Sequence, residues 1–181
     1  MGLDMTLSKR TYLFNWDDEV EIKAKDNASD NVKKAIANIN ASKMKEVISE
    51  AGYWRKANHI HRWFVDNVQN GEDDCGTYTV SLEQLKELKR LCREVIKSSE
   101  LVPTGKTYPV YDVAKGKEVQ EKEYKLKDSS VAEELLPTQS GFFFGGTEFD
   151  KWYVEDLKAT VKIVNACLKD DMAEYEYHSS W

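Results

Sequence analysis

Residues 53–64 read YWRKANHIHRWF, a run that gathers two tryptophans, two histidines, an asparagine and three cations. Wound as a helix at about 100° per residue, the segment puts Trp54, Ala57, Asn58, His61, Phe64, Val65 and Val68 on one broad face. Arg55, His59, Arg62 and Asp66 share a second face that reads as solvated. Asn58 and His61 therefore sit inside an apolar stripe, where a polar group must find hydrogen-bond partners. Two readings follow. In one, Asn58 and His61 tie the helix to a neighbouring loop. In the other, this face borders a cavity: Trp54 is a stacking wall, Asn58 and His61 touch a ligand, and Arg55 reaches an anionic group.

A second cluster, GEDDCG at 71–76, places three acids before Cys75. With His61 or Asp150 they could ligate a hard cation, but adjacent acids seldom converge on one ion. His59 and His61, two apart on a helix, face different ways and cannot chelate together. A solvated turn is the better reading, with no metal and no cofactor expected. Cys75 makes a poor nucleophile because its neighbours are acidic, whereas a reactive thiolate needs an electropositive setting.

The third cluster is LPTQSGFFFGGTEFD at 136–150. Its glycines permit positive φ or close backbone approach, and a helix start follows, where free amides favour an anion. It lacks the GK[ST] ending of a P-loop, and Glu148 and Asp150 would repel a phosphate beside them. The three phenylalanines read better as a buried strand, leaving Thr138, Gln139 and Ser140 as ligand contacts.

The elements that must position these residues follow from pattern. The 181 residues suit one domain, and 41% hydrophobic with 32% charged is a globular balance. A net charge of −6 argues against a nucleic-acid polymer as partner, which would need a basic face. Three cysteines without CxxC spacing fit a reducing compartment. No apolar run suits a membrane span or a signal-peptide core. Gly2 and Thr6 do match myristoylation spacing, a pattern short enough to arise by chance.

Residues 6–14 and 19–24 read as strands, 30–39 as a short helix, and 42–68 as a long helix kinked near Gly52. TYTV (77–80) is a strand before a Ser81–Gln84 capping box and an amphipathic helix over 82–98. Residues 101–127 read as a charged β-hairpin insertion. A short helix near 129–136 follows, then a helix from a Thr147–Asp150 capping box to about Lys169. The acidic, aromatic tail 170–181 is expected to fray. The fold class is α+β: a single compact domain, 1–181, of several amphipathic helices with a small antiparallel sheet.

GLDM, YWRKANHIHRWF, DDCGTYTVS, LPTQSGFFFGGTEFDKWY and DLKATVKIV together resemble a family of small proteins encoded by tailed phages and prophages. The motifs run in order across both ends of the chain, with 101–127 inserted relative to that pattern. The resemblance carries no catalytic residue. It implies an accessory protein of the bacterial host cytoplasm that counters host immunity by sequestering a nucleotide signal in a pocket built by a homo-oligomer. The expected function is thus binding of a small nucleotide-derived anion by Trp54, Arg55, Asn58, His61, Thr138, Gln139 and Ser140. The alternatives are an enzyme cleaving such a ligand, with His61 as general acid-base oriented by Asp74, and an acidic inhibitor of a host defence protein.

Overall fold

Alternation along the strands builds the main sheet. A computed structural model describes residues 2–13 and 21–181. Strand β1 (Asp4–Tyr12) lies between β2 (Glu46–Arg55) and β6 (Glu174–Ser180), and β3 (Thr77–Val80) closes the far side. The order is β2-β1-β6-β3, and every pair is antiparallel. Met5 and Leu7 of β1, Trp54 of β2, and Tyr175 and Tyr177 of β6 point inward and are buried. The period-2 pattern leaves the intervening residues on the other face, where Arg10 donates to Glu46 and Glu176 on the two neighbouring strands.

Helices α2 (Asn58–Asn67), α3 (Leu82–Ser98) and α5 (Lys151–Cys167) share the core with that inward face, while α1 (Asp30–Ala37) carries no buried residue. The α3 start is a capping box: Ser81 Oγ accepts from Gln84 N–H, and Gln84 Oε1 accepts from Ser81 N–H. Leu85, Leu88, Cys92 and Val95 then bury one stripe. Strands β4 (Leu101–Asp112) and β5 (Lys117–Leu126) pair as a separate two-stranded sheet, which is the expected hairpin, and α4 (Ser130–Leu135) follows. The protein is an α+β domain, as its sequence pattern predicts.

Four expectations change. The long helix over 42–68 is instead strand β2 followed by α2. Val47, Ile48, Tyr53 and Trp54 are strand formers, and Gly52 costs a helix interior about 1 kcal/mol relative to Ala. In the strand Gly52 is needed, because a Cβ there would lie 2.5 Å from Ile163 Cγ2 of α5. A register shift in β1 between Leu7 and Ser8 sits opposite it. Residues 21–24 form no strand, and the rest of the expected 19–24 strand, with 14–20, lies outside the described residues. The tail does not fray but supplies β6, whose Tyr175 and Tyr177 are anchored in the core. The final helix is capped by Asp150 alone: its Oδ1 accepts from the N–H groups of Trp152 and Tyr153, and Thr147 lies outside the helix. Among the described residues no helix is long and apolar enough to cross a membrane.

Candidate functional site

The chain passes from β2 into α2 through Lys56, which has a left-handed φ of 60°. That conformation is unfavourable for a residue with a Cβ. It is held by hydrogen bonds from Lys56 N–H to Leu3 O (2.8 Å) and from Asn58 N–H to Lys56 O (2.9 Å). Gly145, at φ 87°, packs its backbone against the Lys56 side chain, and its positive φ excludes most other residues there.

Asn58 binds the 137–146 loop. Its Nδ2 donates to Phe144 O (3.1 Å) and Gly146 O (2.7 Å), and its Oδ1 accepts from Gln139 N–H (3.0 Å). The buried amide is thus engaged at both ends by one loop, the tying role expected of it in the first reading. Leu3 N–H to Phe143 O adds a further clamp (3.0 Å). The expected FFF strand does not form. Phe144 is buried, Phe143 is half-buried, and Phe142 projects into solvent with 95% of its surface exposed.

Between this loop, the Arg55–Lys56 corner and the start of α5 lies a cavity of about 350 Å³. Arg55, Lys56, Asn58, His59, Thr138, Glu148, Asp150, Trp152, Tyr153 and Asp156 line it. Trp152 is 55% exposed, and Asp156 follows it by four residues, so the two share a face of α5. Among the described residues no hydrogen bond or ion pair engages the Asp156 carboxyl. Burial pushes its pKa up to about 7, and the charges of Asp150 and Glu155 add to the shift. Arg55 is loosely held, its Nε 3.9 Å from Asp4.

His59 borders the same cavity and a smaller one lined by Arg62, Asp66 and Leu136. The expected solvated position fails: His59 is buried, and its ring lies 4.2 Å from that of Tyr153. Among the described residues its Nε2 has no hydrogen-bond partner, and burial pushes the imidazole down to about 3, so it stays neutral. The helical wheel misplaced it because α2 begins only at Asn58 and both flanks of its first turn are covered.

His61 has the opposite environment. Its Nδ1 lies 2.8 Å from Tyr177 Oη and its Nε2 3.1 Å from Asp73 Oδ2, with no exposed surface. Burial raises the Tyr177 phenol well above its usual range, so the phenol keeps its proton and can donate to Nδ1, leaving Nε2–H for Asp73. The Trp181 indole N–H donates to the other Asp73 oxygen (3.0 Å). Asp73, not Asp74, is thus the histidine's carboxylate. Asp74 accepts from Gly76 N–H (2.8 Å) and Tyr78 Oη–H (2.9 Å), which hold it below the usual carboxylate range.

Of the residues expected at a ligand site, Arg55, Asn58 and Thr138 meet at the cavity beside α5. Trp54 does not: it is 3% exposed, and its indole N–H donates to Thr160 Oγ1 (2.9 Å) inside the core. Gln139 and Ser140 lie on the other flank of the loop, beside a hollow of about 360 Å³ formed with Asp73, Phe142–Phe144 and Trp181. Sequence reasoning missed Lys56, His59, Trp152 and Asp156. The available signal was a Trp and an Asp four apart just after a helix cap, with an arginine–lysine pair elsewhere.

Among the described residues no three His, Cys, Asp or Glu side chains are placed to hold a metal. Cys92 and Cys167 are buried and Cys75 is half-buried, all as free thiols, and burial pushes Cys92 up to about 12. Compared with known proteins, the chain matches no family model, no curated protein and no solved structure. Function must therefore be argued from the site itself.

Proposed function

We propose that the protein binds a small nucleotide-derived anion in the cavity between α5 and the Arg55–Lys56 corner. One observation carries this reading: a half-exposed indole and a partnerless carboxyl, one helical turn apart, line a cavity that also holds two cations. An indole stacks on a base, a carboxyl reads polar base edges, and Arg55 and Lys56 hold phosphate against the repulsion of Glu148 and Asp150, which line the same cavity. With a net charge of −6, the protein's overall field repels anions, so local cations must do the holding. Stacking moves from Trp54, whose indole is sealed in the core, to Trp152.

The resemblance to phage accessory proteins supplies the setting: sequestration of a nucleotide signal in the host cytoplasm, against host defence. An oligomer is part of the proposal. β2 is an edge strand with Val47 and Ile48 exposed, and no described strand pairs with its outer side. The enzyme alternative loses support, because both His61 nitrogens are engaged and the ring has no exposed surface.

Isothermal titration with nucleoside monophosphates and cyclic dinucleotides tests the reading. Trp152→Ala should weaken binding by about 1–3 kcal/mol through lost stacking, and Arg55→Ala by about 1.5–3 kcal/mol. Binding unchanged in both variants would move the ligand elsewhere, and turnover of the bound nucleotide would replace sequestration with catalysis.

A further inference from the structure

We propose that Asp156 selects a base whose Watson–Crick edge sets an amino group beside a ring imine nitrogen, adenine or cytosine, stacked on Trp152. The inference rests on the nucleotide reading of this cavity and adds which bases it takes.

Asp156 lines the cavity with no hydrogen-bond partner of its own among the described residues, one turn beyond Trp152 on α5. A base lying on that indole presents its edge, not its face, to groups beside the ring. From the α5 cap and α5 itself, Asp150 and Glu155 act on the carboxyl, both acidic, while Lys151 Nζ lies over the Trp152 ring, 5.2 Å from its centroid, and leaves the other ring face for a base. From the β2–α2 corner come Arg55 and Lys56, from α2 the neutral His59, and from the preceding loop Glu148. Neither cation pairs with Asp156.

A carboxyl so placed keeps its proton more readily than an exposed one, and the environment holds it near neutrality. The protonated group offers one O–H donor beside one carbonyl acceptor. Adenine and cytosine present the complementary pair, a ring nitrogen that accepts beside an amino group that donates. Guanine's N1–H and amino group both donate, and they match an ionised carboxylate with two acceptors. Along the same Watson–Crick edge, guanine and uracil can meet the protonated form only through a carbonyl oxygen, a weaker proton acceptor than a ring imine nitrogen. Selection therefore depends on the proton that Asp156 holds.

Equilibrium dialysis of adenosine, cytidine, guanosine and uridine monophosphates, at about pH 6 and about pH 8.5, tests this on the full chain. Ratios between bases cancel the titration of the phosphate that all four share. Adenosine or cytidine monophosphate should bind roughly tenfold more tightly than guanosine monophosphate at the lower pH, and the ratio should fall severalfold at the higher pH. Asp156→Asn, whose amide offers a donor and an acceptor without titrating, should keep the preference at both pH values. Equal binding of all four bases, a guanine preference at the lower pH, or an unchanged pH response in Asp156→Asn would overturn the base assignment and leave nucleotide binding standing. No binding of any nucleotide at either pH would overturn both.

Discussion

Two histidines, two residues apart on α2, have opposite surroundings. His61 has a partner on each nitrogen, Tyr177 and Asp73, and belongs to a hydrogen-bonded chain that runs out to the surface at Trp181. His59 has an unpartnered Nε2 and borders a cavity where Asp156 is also unpartnered. A fully satisfied network around a buried ring specifies structure, whereas unsatisfied polar groups around a cavity are where a ligand has something to offer. The histidine that draws attention as a candidate acid-base is the structural one. The neighbouring region, with its polar groups left open, is the better place to look for chemistry.

The largest effect should come from breaking the closed side. His61→Ala would leave Asp73 and Tyr177 without their buried partner and open a void beside Phe144. It should cost about 3–5 kcal/mol in urea unfolding. A loss below about 1 kcal/mol would place His61 outside the structural network. Asn58→Leu strands three backbone groups of the 137–146 loop and should cost about 2–4 kcal/mol by the same measurement.

The open side is tested by pH. His59 is neutral when folded, down to about 3, but in the unfolded chain it takes up a proton below about 6.5. Below that pH the unfolded state binds more protons, so stability falls as pH drops from about 6.5 toward 3. His59→Phe should remove this loss, worth on the order of 2 kcal/mol by about pH 4.5, while keeping a ring against Tyr153. Urea titrations of the two proteins at a series of pH values would show their stabilities converging near neutrality.

Asp156 runs the other way. Its pKa is raised to about 7 when folded, so between about pH 4 and about pH 7 the folded state holds the extra proton. Its stabilising contribution is complete below the unfolded pKa and is lost as pH rises through the folded one. Asp156→Asn should flatten that slope by about 1–2 kcal/mol, a figure reduced because the side chain is partly open to water. Equal pH slopes in melting temperature for the two proteins would show the carboxyl to be ordinarily solvated. The smallest effect belongs to Arg62→Ala. Arg62 bridges Thr138 O (3.3 Å) and Asp66 (3.6 Å) outside the cavity beside α5. Its loss should change stability by about 0.5 kcal/mol and leave nucleotide affinity unchanged.

Where a segment carries its own signal, its sequence is legible. The Ser81–Gln84 box and the leucines after it mark α3, and AKGK between two charged alternating runs marks the β4–β5 hairpin. Residues 46–55 were not legible, because their strand identity comes from pairing with β1 and from Ile163 packing over Gly52. The same error carried Trp54 onto a helix face beside Asn58. The site residues split likewise. Asn58 and His61 were recognisable as polar groups on an apolar face, although what they hold is a loop and a strand. Trp152 and Asp156 gave only a weak pattern, since their meaning depends on the distant Arg55–Lys56 corner. No local periodicity encodes a meeting between residues so far apart.

The position of β6 also bears on how fast the protein can fold. Arg10 and Glu176, paired across β1 and β6, are separated by 166 residues in sequence, and β6 lies between β1 and β3 in the sheet. The β4–β5 hairpin closes within its own segment, on a timescale of about 1–10 μs for such units. The main sheet cannot assemble until chain separated by most of the sequence has met, which places it among slowly forming, high-contact-order topologies. Until then Met5, Leu7, Tyr175 and Tyr177 have no sheet to bury them, and the half-formed molecule is at its most vulnerable to aggregation.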